Sequence, residues 1–222
     1  VTLNTKLSDI SVYVLLDPEH AGGHRLPDLA AAAAQNGASI LQIRDKLNSA
    51  RDMIALTKDC LEAVSGTGVP IVVNDRVDVA IAAGANGVHV GQTDIPVTIA
   101  RRMLGPDALV GLTVKTATHL EQAPLEDISY FGMGGVFATS TKNNPSAPIG
   151  LDGVSELVRV ARGRGYAGPL AAIAGIDKGN AGDVIRAGAD GICVVSAVSR
   201  AADPGQAVAG LAQVVARARP ER

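Results

Sequence analysis

The sequence predicts a (β/α)8 TIM barrel, and three observations carry that expectation. Short apolar runs alternate with helix-period segments along the 222 residues, the rhythm of parallel strands joined by crossover helices. Apolar residues make up 47% of the chain, with two Phe and no Trp, so the core is built from Ala, Val, Ile and Leu. Small and β-branched side chains suit parallel strands buried on both faces. Finally, a short internal repeat, "AGANGVHV" at 83–90 and "AGADGICV" at 187–194, reads as a helix stopped by Gly84 or Gly188 and followed by a buried strand. Glycine fits such a stop because it reaches the left-handed conformation without steric cost. An open doubly wound sheet is the alternative, but no glycine fingerprint follows the first strand to favour it. No composition shift divides the chain, so residues 1–222 are expected to form one domain.

Eight strands are expected in order. The first four are "SVYVLLD" (11–17), "SILQIRD" (39–45), "IVVND" (71–75) and "GVHVG" (87–91). The others are "LVGLTV" (109–114), "YFGMG" (130–134), "LAAIAG" (170–175) and "GICVVS" (191–196). Helical periodicity fills most intervals and is clearest at 49–65, 151–163 and 203–219. Asp152 and Asp203 lie near the starts of the last two, where an acidic group favours the helix dipole.

Composition removes several function classes. A net charge of −2, with no basic run and no aromatic stacking platform, argues against a nucleic-acid partner. Cys60 and Cys193 lie far apart with no C-x-x-C motif, so a zinc site or disulfide framework is not expected and a reducing compartment is. The N-terminal "VTLNTKLSDI" has no signal-peptide core, and "DLAAAAAQNG" is too short to span a bilayer. A soluble cytoplasmic protein with no membrane partner is expected, and a homo-oligomer is compatible with the sequence.

In a barrel of this kind the reactive groups gather where strands run into the following loops. The polar residues obey that rule. Gln42, Arg44 and Lys46 end the second strand, and Asn74 and Asp75 the third. Gln92 and Asp94 follow the fourth, while Thr113 ends the fifth. Thr139, Ser140, Thr141 and Lys142 follow the sixth, and Gly175 and Ser196 end the seventh and eighth. In "LQIRDK" (41–46), residues two apart share a face. Leu41 and Ile43 then pack against outer helices, while Gln42 and Arg44 point inward with Lys46 at the rim. Two cations and an amide there suit an anion such as a phosphate; the bland alternative is an internal ion pair, Arg44 with Asp75 for example.

Asp75 and Asp94 are the candidate metal ligands. Strand-end Asp residues often cap the next helix, but carboxylates beside Arg and Lys suit Mg²⁺ completed by waters and phosphate oxygens. The hydroxyl-rich loop at 134–150 has the length of a functional lid. "IAGI" and "VVSAVS" stand where many barrels bind a phosphate through backbone N–H groups. His89 points inward and reads as a satisfied core histidine before a catalytic one. No Ser-His-Asp or Cys-His constellation supports acyl-transfer hydrolysis.

The ordered set "LQIRDK", "VNDRVDVAIAAGANGVHVGQTD", "GMGGVFATSTK" and "AIAGI…AGADGICVVSAVS" resembles the thiamine phosphate synthase (thiamine-phosphate pyrophosphorylase) family from about residue 11 to residue 205. The resemblance implies a transferase of thiamine biosynthesis. Its expected substrates are 4-amino-2-methyl-5-(diphosphooxymethyl)pyrimidine and 4-methyl-5-(2-phosphooxyethyl)thiazole, condensed to thiamine phosphate and diphosphate. It implies Gln42, Ile43, Arg44, Asp45, Lys46, Asn74, Thr113 and Lys142 around the pyrimidine diphosphate, with Arg44, Lys142 and Thr113 as catalytic groups. It implies Thr139, Ser140, Thr141, Gly175, Val195 and Ser196 around the thiazole phosphate, and Mg²⁺ on Asp75 and Asp94. Two positions depart from the family pattern: "TVKT" places Thr113 and Lys115 where S-x-H-T is common, and "IAGI" places Ala174 where a glycine is common. Competing readings are a thiazole tautomerase on the same barrel, a Schiff-base aldolase or sugar-phosphate isomerase, and a non-catalytic phosphate-binding barrel.

Overall fold

Eight parallel strands close on themselves in sequence order, each hydrogen-bonded to the next and the last to the first. A computed structural model describes Leu7, residues 9–139 and residues 147–219. The strands are β1 (Val12–Leu16), β2 (Ile40–Ile43), β3 (Ile71–Asn74), β4 (Gly87–Val90), β5 (Leu109–Val114), β6 (Tyr130–Gly134), β7 (Leu170–Ile173) and β8 (Gly191–Val194). Each falls within the span expected from the apolar runs. The end residues trimmed from that expectation, such as Asp45 and Asp75, have left the ladder to enter loops.

Helices α1 (Leu26–Gln35), α2 (Ala50–Ala63), α3 (Val77–Ala83), α4 (Val97–Leu104) and α5 (Ala117–Gln122) cover the first half of the barrel. Helices α6 (Gly150–Gly163), α7 (Ala181–Arg186), α8 (Ser196–Ser199) and α9 (Pro204–Ala218) cover the second. Local chemistry sets their ends. Ser49 accepts a hydrogen bond from the Asp52 N–H to open α2, and Asp203 does the same for the Gln206 N–H at α9, satisfying donors that a first turn leaves free. Gly84 closes α3 at φ +74°, the left-handed stop read from the repeat. No helix among the described residues is long and apolar enough to cross a membrane.

Alternation sorts the core into two regions. Val12, Val14 and Leu16 of β1, and Leu41 and Ile43 of β2, face the helices, in one large apolar cluster with α1, α6, α7 and α9. Tyr13, Leu15, Ile40, Val72, Leu109, Tyr130, Ala171 and Cys193 fill the barrel itself. The two tyrosines are fully buried there, with rings edge to face at 5.6 Å.

The N-terminal face of the barrel is held by arginines that reach back from helix ends to loop carbonyls. Arg101 of α4 donates to the carbonyls of Gly105, Pro106, Ala108 and Asp127, and to Ser129 Oγ. It thereby ties the loop before β5 to the loop before β6. Removing the guanidinium strands several of these acceptors at once. Arg101→Ala is expected to lower stability by about 2–3 kcal/mol, the scale for orphaned part-buried acceptors, as read from urea denaturation midpoints.

Candidate active site

At the C-terminal end of the strands a cavity opens whose walls come from all eight of them or from the loops that follow. Gln42, Arg44, Asn74, Thr113, Thr139, Gly175, Val195 and Ser196 line it, so eight of the expected site residues converge on one space. Lys46, Asp75 and Asp94 stand on the rim beside it, beyond the ends of β2, β3 and β4. Ser140, Thr141 and Lys142 lie outside the described residues. Two expected residues are turned elsewhere. The Ile43 side chain is buried in the outer cluster against the helices. Asp45 is committed to its own turn, accepting from the Leu47 and Asn48 N–H groups at 3.0 Å and from Asn48 Nδ2 at 2.7 Å. Burial alone would push the Asp45 carboxyl up, but these donors hold it below the usual carboxylate value.

The inward face of β2 explains "LQIRDK". Gln42 is buried and donates to the Tyr13 hydroxyl inside the barrel. Arg44 pairs with Asp17 at 2.5 Å, with side chains 15% and 2% exposed. The partner is thus the carboxylate ending β1, rather than Asp75. Asp17 also accepts from the Glu19 N–H at 2.9 Å, and His20 Nδ1 stands 3.4 Å away. A guanidinium this enclosed needs such a counter-ion, because an unpaired buried charge is costly. Asp17 was missed from the sequence although its signal was present: like the other polar site residues it ends a strand, but the following Pro18 gives it the look of a turn residue.

Lys46 pairs with Asp75 across the rim. Asp75 holds a left-handed backbone, φ +61°, a conformation that Asp tolerates better than most residues. Asp94 accepts from the Gly91 N–H at 2.7 Å. Burial is the largest cause raising the Asp94 carboxyl above its usual value. The adjacent Asp75 raises it further, against the Gly91 N–H and Lys46. Two carboxylates this close repel unless a proton or a cation lies between them, which is the donor chemistry of a hard divalent ion. No group of three or more His, Cys, Asp or Glu suited to a metal occurs among the described residues. Two protein carboxylates would leave the other positions to waters and substrate oxygens.

His89 is satisfied, as its reading from the sequence suggested. Its Nδ1 is 3.1 Å from the Tyr130 hydroxyl and its Nε2 is 2.7 Å from Thr113 Oγ1. On the opposite wall Gly175, φ +66°, passes so near the loop after β6 that a Cβ there would lie 2.6 Å from the Ala138 carbonyl oxygen. Lys115 lines the cavity, and its N–H donates to His119 Nδ1 at 3.2 Å. Ala174 also lines it and holds φ +89°.

Fold and cavity together define a parallel (β/α)8 barrel whose strands open at their C-terminal ends into one cavity, lined by an Arg44–Asp17 ion pair and glycine turns. Residues 12–198 match the family model described as thiamine monophosphate synthase, and the chain belongs to that family. It is 48% identical over 195 residues to the thiamine-phosphate synthase of Agrobacterium fabrum, covering 88% of this chain and 89% of that one. It is 43% identical over 211 residues to the thiamine-phosphate synthase of Roseiflexus sp., covering 95% and 87%. Among solved structures, the thiamine phosphate pyrophosphorylase from Pyrococcus furiosus superposes with a TM-score of 0.82 at 30% identity, covering 96% of this chain and 98% of that chain.

Ala174 gives a test specific to this sequence. A Cβ at φ +89° is strained where a glycine would not be. Ala174→Gly is therefore expected to raise stability by about 1 kcal/mol, as measured by chemical denaturation.

Proposed function

We propose that this chain is a thiamine-phosphate synthase, which transfers the pyrimidinylmethyl group of 4-amino-2-methyl-5-(diphosphooxymethyl)pyrimidine to the nitrogen of 4-methyl-5-(2-phosphooxyethyl)thiazole. The observation that carries the reading is the convergence of Gln42, Arg44, Asn74 and Thr113 with Gly175, Val195 and Ser196 on a single cavity, while Lys46 pairs with Asp75 just beyond the ends of β2 and β3. Family membership and the names of the relatives support it.

The chemistry asks little of the protein beyond electrostatics and placement. Breaking the methylene–oxygen bond releases diphosphate and leaves a resonance-stabilised pyrimidine methylene cation. The thiazole nitrogen then donates its lone pair to that carbon, giving thiamine phosphate with no protein nucleophile. Arg44, held by Asp17, stabilises negative charge as it develops on the leaving oxygens. Lys46 exchanges Asp75 for a phosphate oxygen when the substrate enters, and Lys142 is assigned to the same diphosphate. Gln42, Asn74 and Thr113 hold the pyrimidine. Thr139, Ser140, Thr141, Gly175, Val195 and Ser196 hold the thiazole phosphate, so that the two reacting atoms meet in attack geometry. Asp75 and Asp94 are the residues that would hold Mg²⁺, which when bound supplies further positive charge to the leaving diphosphate. Cys60 and Cys193 are buried free thiols, and cysteines left unpaired are in keeping with a reducing, cytoplasmic location.

The direct test mixes the purified protein with Mg²⁺ and both substrates. Thiamine phosphate and diphosphate are expected in equal amounts; binding of both substrates without diphosphate release over hours would refute the proposal. Asp75→Ala and Lys142→Ala are each expected to lower turnover by about 10²–10³, the scale for one preorganised electrostatic contact, with steady-state kinetics as the readout.

A further inference from the structure

At the end of β7, three successive carbonyls are each claimed by a donor. The Ile173 and Ala174 oxygens accept from the Val136 and Phe137 N–H groups at 2.8 and 3.1 Å. These two bonds carry the β6–β7 pairing beyond Gly134 and Ile173, where the ladder ends. The Gly175 oxygen accepts from Asn180 Nδ2 at 2.8 Å. Asn180 precedes α7 and is half-buried. It stands behind the cavity wall rather than in it, outside the described lining residues.

The same side chain makes a second bond in the opposite sense. Asn180 Oδ1 accepts from the Asp177 N–H at 2.9 Å. A carbonyl can only accept and a backbone N–H can only donate, so these partners fix which end of the amide faces which. Asn180 thereby closes the Gly175–Asp177 turn. Ile176, in the middle of that turn, is buried in the apolar layer under the helices, while Ala174 and Gly175 line the cavity.

Strain gives this closure its purpose. Ala174 and Gly175 both hold left-handed backbones, φ +89° and +66°. The first is costly for a residue with a Cβ and persists only where its surroundings over-determine it. The loop after β6 pins the corner from one side: Phe137 donates to Ala174, and a Cβ on Gly175 would lie 2.7 Å from Phe137 Cβ. Asn180 pins it from the other. The Ile149 and Gly150 N–H groups donate to the Gly135 and Val136 carbonyls at 2.9 and 3.0 Å, which ties the start of that loop to its return. Thr139, two residues after Phe137, lines the same cavity as Gly175.

We propose that Asn180 is a positioning residue for the thiazole-phosphate side of the cavity, acting through the Gly175 carbonyl without touching substrate. It holds the left-handed corner against the start of the loop after β6, so that Gly175 and Thr139 face one phosphate together. Arg44 and Lys46 follow β2, which β8 and β1 separate from β7, and their placement does not depend on this corner. The identity of the ligand rests on the proposed function; the pinning of the corner does not.

Two variants test the inference. Asn180→Ala removes both bonds, and Asn180→Asp keeps the acceptor for Asp177 while losing the donor to Gly175. In amide hydrogen exchange followed by NMR, the Phe137 N–H is expected to exchange about tenfold faster in both, the scale of one lost hydrogen bond. The Arg44 N–H, bonded to the Leu16 carbonyl, is expected to be unchanged. Unchanged exchange at Phe137, or equal acceleration at both amides, would overturn the inference whether or not the protein makes thiamine phosphate. In calorimetric titration, the Kd of the thiazole phosphate is expected to rise about tenfold in each variant, with that of inorganic pyrophosphate unchanged. An unchanged thiazole-phosphate Kd, or equal losses for the two ligands, would refute the positioning role. If the unsubstituted protein binds no thiazole phosphate, the proposed function fails and the exchange result alone judges the corner. If Asn180→Ala does not fold, Asn180→Asp decides both measurements.

Discussion

Closure of the parallel sheet is the constraint on which the site depends. Once β8 pairs with β1, each strand has two destinations for its side chains, the helix layer or the barrel interior. The last inward residues have only the C-terminal mouth beyond them. Arg44, Asn74 and Thr113 are brought into one cavity by this geometry although they lie far apart in the chain. Helices that cover the outside make the inward choice strict, because a one-residue slip in β2 would drive Arg44 into the apolar cluster that holds Leu41 and Ile43.

The second consequence is electrostatic. Charges drawn into so enclosed a mouth need partners before any ligand arrives, and the chain supplies them from neighbouring strands. Asp17 on β1 holds Arg44 from β2, and Asp75 beyond β3 holds Lys46. The two pairs differ in use. The Arg44–Asp17 pair is deep and also tied to the backbone through the Glu19 N–H, so it fixes a guanidinium in place. The Lys46–Asp75 pair is on the rim, where a long ammonium side chain can exchange a carboxylate for a phosphate. Asp94 is left beside Asp75 with its carboxyl raised chiefly by burial, so a cation at that point would relieve a repulsion that folding alone creates.

Much of this was legible in the sequence, for reasons that can be stated residue by residue. The alternation in "LQIRDK" revealed which side chains face inward, because a two-residue period survives any error in strand ends. The glycine stops at 84 and 188 were readable because a left-handed residue is a local requirement. The partner of Arg44 was not readable: Asp17 is 27 positions away, and only the β1–β2 pairing brings it near. Asp45 resembled its charged neighbours, but its short-range turn claims it first. The buried line through Tyr13, Tyr130 and His89 was hidden for another reason. Tyrosine in a strand looks like core, and its hydroxyl acquires partners only when other strands supply the neighbours. The inward glycines at 111 and 132, which leave room for the rings, were the trace it left.

The proposed function depends on the rim binding diphosphate and a divalent cation together, with Arg44 as the fixed charge. Calorimetric titration of the protein with inorganic pyrophosphate, with and without Mg²⁺, measures this directly. Affinity about tenfold or more greater with Mg²⁺ is expected, roughly 1.4 kcal/mol of coupling, with weaker binding in Arg44→Ala. Pyrophosphate affinity that ignores both the cation and the substitution would contradict it.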